Sequence, residues 1–204
     1  GSRLAGLRHR ERGMISVGVV GTTSWGTTLG IVLARQGCHV ALWARSEKEA
    51  AVLRGDGQNS RLLPGFPFPE TLRVSVSLEE AFSEADAIVF GVPSATLRSN
   101  VEATIGSLSG IGTPLIVSAC KGLERDSGKS MTQVLREALP EQLHGRICVL
   151  SGPNLAREVV AGKPASTVAA ASDKSVATEA QDLFMSDTLR VYTNTDIIGV
   201  ELAG

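Results

Sequence analysis

From residue 14 onward, short apolar runs alternate with stretches in which apolar residues recur at helical spacing. Continuous apolar runs at 87–92, 115–119 and 147–150 predict strands buried on both faces of a parallel sheet. Runs at 17–20, 40–43, 74–76, 166–171 and 189–192 predict further strands. Helices lie between them. One spans 24–36 and stops at Gly37. Two more open on the capping boxes Ser46-Glu47-Lys48-Glu49 and Ser77-Leu78-Glu79-Glu80, running to about Arg54 and about Glu84. Others span 97–108, 129–139 with Ser127 as its cap, and 174–185. Asn194 or Thr195 stands where it can cap a last helix through Ile197, Ile198, Val200 and Leu202, whose pattern is unfinished at Gly204. Residues 55–69, rich in glycine and proline, read as an ordered loop rather than a linker. The alternation predicts an α/β fold built on one doubly wound, mostly parallel sheet.

Ligands of such sheets bind outside the carboxyl ends of the strands. The segments that follow the predicted strands are therefore the functional candidates. They are the turn 21–26, Ala44-Arg45-Ser46, Pro93-Ser94, Cys120-Lys121-Gly122 and Ser151-Gly152-Pro153-Asn154, all expected on one rim. The turn Gly21-Thr22-Thr23-Ser24-Trp25-Gly26 follows a strand and opens a helix. In that context a glycine turn holds a dinucleotide pyrophosphate on a helix N-terminus. Gly21 suits the tight turn. Gly26, Gly30 and Ala34 share one helix face and let it lie close to the sheet. The usual G-x-G-x-x-G pattern has glycine where this chain has Thr23. The Thr23 hydroxyl is a candidate phosphate donor, and its bulk a candidate obstacle.

At the end of the second strand an acid would accept from the ribose 2′-OH of NAD; Arg45 instead suits the 2′-phosphate of NADP. The alternative is a solvated arginine beside a capping serine. Lys121 follows a buried strand, so its stem is expected to be partly desolvated, and its ammonium suits a carbonyl or phosphate oxygen. A surface lysine at a turn, helped by Gly122, is an equal alternative. Asn154 follows a turn and suits a substrate hydroxyl or phosphate, while residue type alone favours turn formation or capping before 156–160. Gly128-Lys129-Ser130 is no phosphate loop, because Leu123 stands where the earlier glycine is required. His9, His39 and His144 have no ligand spacing and Glu79 and Glu80 belong to a cap, so no metal site is expected.

The 204 residues, 43% of them apolar and 20% charged, suffice for one domain core. A net charge of −1 gives no basic field for nucleic acid. No apolar run is long enough to span a bilayer. Cys38, Cys120 and Cys148 form no C-x-x-C pair and read as reduced thiols of a cytoplasmic protein. Residues 1–13 carry Arg3, Arg8, Arg10 and Arg12 without an apolar core. They read as a tag or leader without fixed structure, with Gly1-Ser2 a cloning remnant and Met14 the natural start.

Several segments together carry a resemblance. They are the turn 21–26, Leu42-Trp43-Ala44-Arg45, Leu63-Pro64-Gly65, Val92-Pro93-Ser94 and Lys121-Gly122-Leu123-Glu124. Leu150-Ser151-Gly152-Pro153-Asn154-Leu155-Ala156, Arg190-Val191-Tyr192 and Asp196-Ile197-Ile198-Gly199-Val200-Glu201-Leu202 continue the series. In this order and spacing, residues 14–204 resemble the N-terminal cofactor domain of bacterial-type NAD(P)-dependent glycerol-3-phosphate dehydrogenase. The resemblance implies a Rossmann-like domain over 14–193. Residues 194–204 would begin a helix leading to an all-helical substrate domain. It implies an oxidoreductase acting on a CH-OH group, which reduces dihydroxyacetone phosphate to glycerol 3-phosphate for phospholipid synthesis. The cofactor is NADP or NAD, with Arg45 tipping the choice toward NADP.

By the motif, Gly21, Thr22, Thr23, Ser24, Trp25, Gly26, Arg45, Pro93, Lys121 and Ala156 bind cofactor. Lys121, Gly152 and Asn154 border the substrate. Lys121 is the catalytic lysine present here, and a second family lysine would lie beyond Gly204, so the chain alone is expected to turn over little. The whole protein is expected to be a cytoplasmic homodimer without a membrane span. Two other readings stay open: a stand-alone dinucleotide-binding or sensing domain without catalysis, and a related two-domain hydroxy-acid dehydrogenase.

Overall fold

The structure, a computed structural model, describes residues 14–108 and 110–204; the expected tag or leader at 1–13 lies outside them. Eight strands form a single sheet. They are β1 (Ser16–Val20), β2 (His39–Trp43), β3 (Leu72–Ser75), β4 (Ala87–Phe90), β5 (Leu115–Ser118), β6 (Ile147–Ser151), β7 (Ala165–Ala171) and β8 (Leu189–Asn194). Their order is β3-β2-β1-β4-β5-β6-β7-β8. The first six are parallel; β7 pairs antiparallel with β6 and parallel with β8. The chain winds outward from β1 to β3 and then crosses to β4 on the other side. A switch point, with its crevice, therefore lies between the carboxyl ends of β1 and β4.

The central strands are apolar throughout because both faces are covered. Ala87, Val89, Leu115 and Val117 pack into a core with helices α1 (Ser24–Arg35) and α7 (Lys174–Phe184). Their alternate neighbours Ile88, Phe90 and Ile116 face a second core. That core includes Phe82 of α3 (Leu78–Phe82), Leu97 and Val101 of α4 (Ser94–Thr104), and Met131 and Leu135 of α5 (Met131–Ala138). The two-residue period of the strand sends successive side chains to opposite layers. Helix α2 (Glu47–Asp56) buries Ala50 and Leu53 beside β2 and β3, and the short α6 (Ala156–Val160) packs on α1. After β8 the chain turns into α8 (Ile197–Ala203), which packs along β6 and β7 and ends beside Ser151.

The predicted doubly wound sheet is the observed one. Local details differ, chiefly at helix ends. Helix α4 begins at Ser94, three residues before 97, because Pro93 takes the N-cap position and its fixed φ suits a helix start. The cap of α5 is Ser130, whose N–H donates to Gln133 Oε1 at 2.9 Å. Ser127 instead donates its hydroxyl to Glu124 Oε2 at 2.5 Å. The cap of α8 is Asp196, whose carboxylate accepts from Gly199 N at 2.9 Å; Asn194 turns its Oδ1 to the N–H groups of Thr195 and Asp196. Both capping serines at 46 and 77 accept from the third helical N–H as expected, but the reciprocal carboxylates reach elsewhere. Glu80 accepts from the Ser75 hydroxyl, and Glu49 takes a part in the site.

Candidate functional site

At the switch point backbone approaches backbone closely. Gly21 turns at a φ of +117°, which an L side chain rarely adopts. A Cβ on Gly26 would overlap the Gly21 carbonyl oxygen. A Cβ on Gly91, just past β4, would lie 2.6 Å from the Gly26 Cα. Three positions without side chains thus let the N-terminus of α1 sink between the ends of β1 and β4. The first-turn N–H groups of a helix have no carbonyl of their own helix to bond. In α1, Gly26 N is taken by Thr23 and Thr27 N by the Thr23 carbonyl, and those of Ser24 and Trp25 stand at the tip.

Thr23 is the N-cap of α1, with φ −64° and ψ 168°. Its hydroxyl accepts from Gly26 N at 2.9 Å and donates to the Gly91 carbonyl at 2.5 Å. The idea that this hydroxyl donates to a phosphate is therefore corrected: its one proton is committed to the chain after β4. Thr23 joins the turn to β4, a job that a glycine at this position would leave undone.

Next to the turn opens a cavity of about 660 Å³, walled by Gly21, Thr22 and Thr23, by Val92 and Pro93, and by Arg45, Ser46, Lys48 and Glu49. Its outer wall comes from the 55–69 loop through Asn59, Ser60, Arg61 and Leu62. The loop is ordered, as its sequence predicts. Asn59 is buried and donates from Nδ2 to Thr22 O at 2.8 Å and to Thr27 Oγ1 at 2.9 Å. Arg157 of α6 sits over the Phe66 ring at 5.7 Å and ties the other end of the loop. Glu49 Oε1 accepts from Thr22 Oγ1 at 2.5 Å, and Oε2 accepts from the Arg45 N–H at 3.2 Å. Arg45 is exposed at the cavity edge. Ser46 caps α2.

Glu49 reads in the sequence only as part of a capping box, and Asn59 and Arg61 belong to no motif, so sequence reasoning missed all three as cavity residues. The faint signal was their place on segments bordering the rim.

Farther along the rim, Lys121 follows β5 and donates from Nζ to the Gly152 carbonyl at 2.7 Å. Its expected partial desolvation is corrected, since the residue is exposed and only its head is held. Asn154 N donates to Gly152 O at 2.8 Å, which is turn formation. Its buried Nδ2, however, has no acceptor. A buried amide without a partner is costly. Trp25 and Ala156 lie partly buried against the core on the α1 side, and the Ala156 carbonyl accepts from Thr28 Oγ1 at 3.2 Å.

Of the sequence-derived residues, the structure gathers Gly21, Thr22, Thr23, Arg45 and Pro93 around the cavity, and Ser24, Trp25 and Gly26 at its helix tip. It places Lys121 and Gly152 in contact, with Asn154 beside them.

Behind Lys121 the rim is braced by charge. Arg98 holds Glu124 at 2.8 Å, and its other nitrogen holds Glu137 at 2.9 Å, while Lys129 also pairs with Glu137. The Arg98 guanidinium, followed by the Ser127 hydroxyl, pulls the Glu124 carboxyl down to about 2. Burial pushes the thiols the other way, Cys120 and Cys148 to about 12 and Cys38 to about 11, so none is a thiolate near neutral pH. Among the described residues no group of three or more His, Cys, Asp or Glu is placed to hold a metal ion. No described helix is long and apolar enough to cross a membrane.

Known proteins resemble this chain in sequence and fold. The model of the family described as NAD-dependent glycerol-3-phosphate dehydrogenase N-terminus matches residues 16–177. Glycerol-3-phosphate dehydrogenase [NAD(P)+] of Dehalococcoides mccartyi is 46% identical over 192 residues, 94% of this chain and 53% of that protein. The enzyme of that name from Chlorobium limicola is 46% identical over 188 residues, 92% of this chain and 56% of its own length. The crystal structure of glycerol-3-phosphate dehydrogenase from Coxiella burnetii superposes with a TM-score of 0.83 at 30% identity, covering 93% of this chain and 56% of that one. The chain thus spans about half the length of the curated relatives it matches. With the 3-2-1-4-5-6 strand order and the glycine-built switch point, these matches show that the chain belongs to the NAD-dependent glycerol-3-phosphate dehydrogenase family, as its N-terminal Rossmann-like part.

Proposed function

We propose that this chain is the cofactor-binding part of an NAD(P)-dependent glycerol-3-phosphate dehydrogenase, a domain over 14–193 with 194–204 leading out of it. The observation that carries this reading is the side-chain-free cradle of Gly21, Gly26 and Gly91 beside the 660 Å³ cavity. A Cβ at any of the three would fill the space that brings the α1 tip to the switch point. Ser24 and Trp25 N–H groups hold the pyrophosphate there. Gly21, Thr22, Thr23 and Pro93 shape the wall, and Ala156 backs α1. Arg45 faces the adenosine ribose, where its guanidinium favours a 2′-phosphate and hence NADP over NAD.

When bound, a nicotinamide would supply or take a hydride at the central carbon of dihydroxyacetone phosphate or glycerol 3-phosphate. Lys121 is then the catalytic residue of this chain. The Gly152 carbonyl takes one of its three N–H donors and orients the ammonium, leaving two for a substrate oxygen. Asn154 Nδ2 supplies a further donor. The substrate pair, the homodimer and the cytoplasmic setting of the whole protein belong to the same reading. It is supported by the family membership and by Lys121, Gly152 and Asn154 lying together on the cofactor rim.

Calorimetric titration of the chain with NADPH and with NADH tests it. Saturable binding of both, tighter for NADPH, is expected. A folded chain that binds neither overturns it.

A further inference from the structure

Four charged side chains line the 660 Å³ cavity among the described residues, and three of them, Arg45, Lys48 and Arg61, are cations. The fourth is Glu49. It stands in the first turn of α2, and its carboxylate spans two parts of the site. Oε1 accepts from the Thr22 hydroxyl of the glycine turn, and Oε2 accepts from the Arg45 N–H at the end of β2. That second contact puts an acid at the strand end where NAD-selective domains carry one for the ribose diol. Here the acid is delivered from the following helix rather than from the strand.

We infer that Glu49 moderates the cofactor preference of this site, by opposing a 2′-phosphate and accepting from a free 2′-hydroxyl. A carboxylate has about four lone-pair sites, and two hydrogen bonds leave it able to accept from a ribose hydroxyl. Its charge opposes the dianion that the three cations attract. The chain thus holds readers for both cofactors in one wall, and Glu49 moderates the NADP preference that Arg45 alone would give. The inference rests on the proposed dinucleotide site.

The test compares the dissociation constants of NADPH and NADH for the parent chain, Glu49→Gln and Glu49→Asp, with thermal melts to confirm folding. Glu49→Gln keeps an acceptor and removes the charge. NADPH should bind about fivefold tighter, the size of one solvent-exposed charge contact, and NADH should bind no tighter than before. Glu49→Asp keeps the charge on a shorter stem. It should weaken both cofactors and leave their ratio within about twofold of the parent, since the charge remains. If Glu49→Gln changes both affinities by the same factor, Glu49 only clamps the turn and the inference fails. If Glu49→Asp moves the ratio as far as Glu49→Gln does, charge is not the cause and the inference also fails. A parent chain that binds neither cofactor removes the proposed function itself, which is a different result.

Discussion

The glycine rim and the α8 flank of this molecule are held together in opposite ways. At the rim, four segments distant in sequence interlock through short polar contacts: Thr22 with Glu49, Thr23 with Gly91, and Asn59 with Thr22 and Thr27. The backbones there touch with no side chain between them. On the flank, α8 shows Ile198 and Leu202 to solvent at 61% and 66% exposure, one helical turn apart on the same face. Its anchor is the buried Glu201 carboxylate, which accepts from Thr132 N at 2.8 Å and Thr132 Oγ1 at 2.7 Å at the N-terminus of α5. The rim therefore owes its shape to contacts within this chain, and dinucleotide binding is expected from the chain by itself. The flank combines packing along β6 and β7 with one buried polar anchor, and leaves apolar surface open.

Breaking the rim should have the largest effect. Gly26→Ala drives a Cβ into the Gly21 carbonyl, and overpacking between backbones that have nowhere to move should cost about 3 kcal/mol. Urea denaturation would read that loss, and dinucleotide binding should vanish with it. Unchanged binding would mean that the close approach is not what forms the cradle.

Breaking the flank should cost less and spare the rim. Glu201→Ala strips two hydrogen bonds to a charged acceptor and leaves Thr132 N without a partner, worth about 2 kcal/mol. NADPH affinity should stay within about twofold, because none of the hydrogen bonds that shape the glycine turn and its cavity passes through Glu201. A large loss of affinity would show that the two regions are coupled.

Thr23→Ala sharpens the account of the rim. It removes an N-cap and the bond to the Gly91 carbonyl and should cost about 1.5 kcal/mol, whereas Thr23→Gly, a tolerated cap residue that loses the same Gly91 bond, should cost about 1 kcal/mol. Equal melting temperatures for Thr23→Ala and the parent would show that the hydroxyl's two bonds contribute nothing.

The smallest effect concerns the brace behind Lys121. Glu124 is held at about 2 in the folded chain against an ordinary 4.5. A depressed folded value stabilises the native state above the unfolded value and stops doing so as pH falls through the folded one. The stability gap between the parent and Glu124→Gln should therefore be full at neutral pH, shrink below about pH 4.5 and be gone near about pH 2. A gap that is constant with pH would mean that Arg98 does not discriminate the charged form.

The doubly wound sheet was legible because periodicity is local. Buried runs such as 87–92 and 115–119 announce strands covered on both faces, and Gly26, Gly30 and Ala34 announce a helix lying close on the sheet. What stayed hidden was long-range. Glu49 meets Thr22 across 27 residues and Asn59 meets Thr22 across 37, and no spacing rule reaches that far. Caps were misplaced by a few residues where several serines, threonines or acids compete, as at Ser127 against Ser130 and Asn194 against Asp196. Lys121 is expected to be partly desolvated because it follows a buried strand, yet it is exposed directly after buried Cys120, three residues past the end of β5. Position along a strand gives the rim; exposure at the rim depends on what crosses it.

The most direct test of the central claim is to follow the backbone amide resonances of the chain by NMR while NADPH is added. The largest shifts should fall on Ser24 and Trp25 at the tip of α1, with a second group at residues 45–49. Saturable shifts confined to the amino ends of the strands, near Ser16 and His39, would place the ligand at the wrong edge of the sheet and contradict the account.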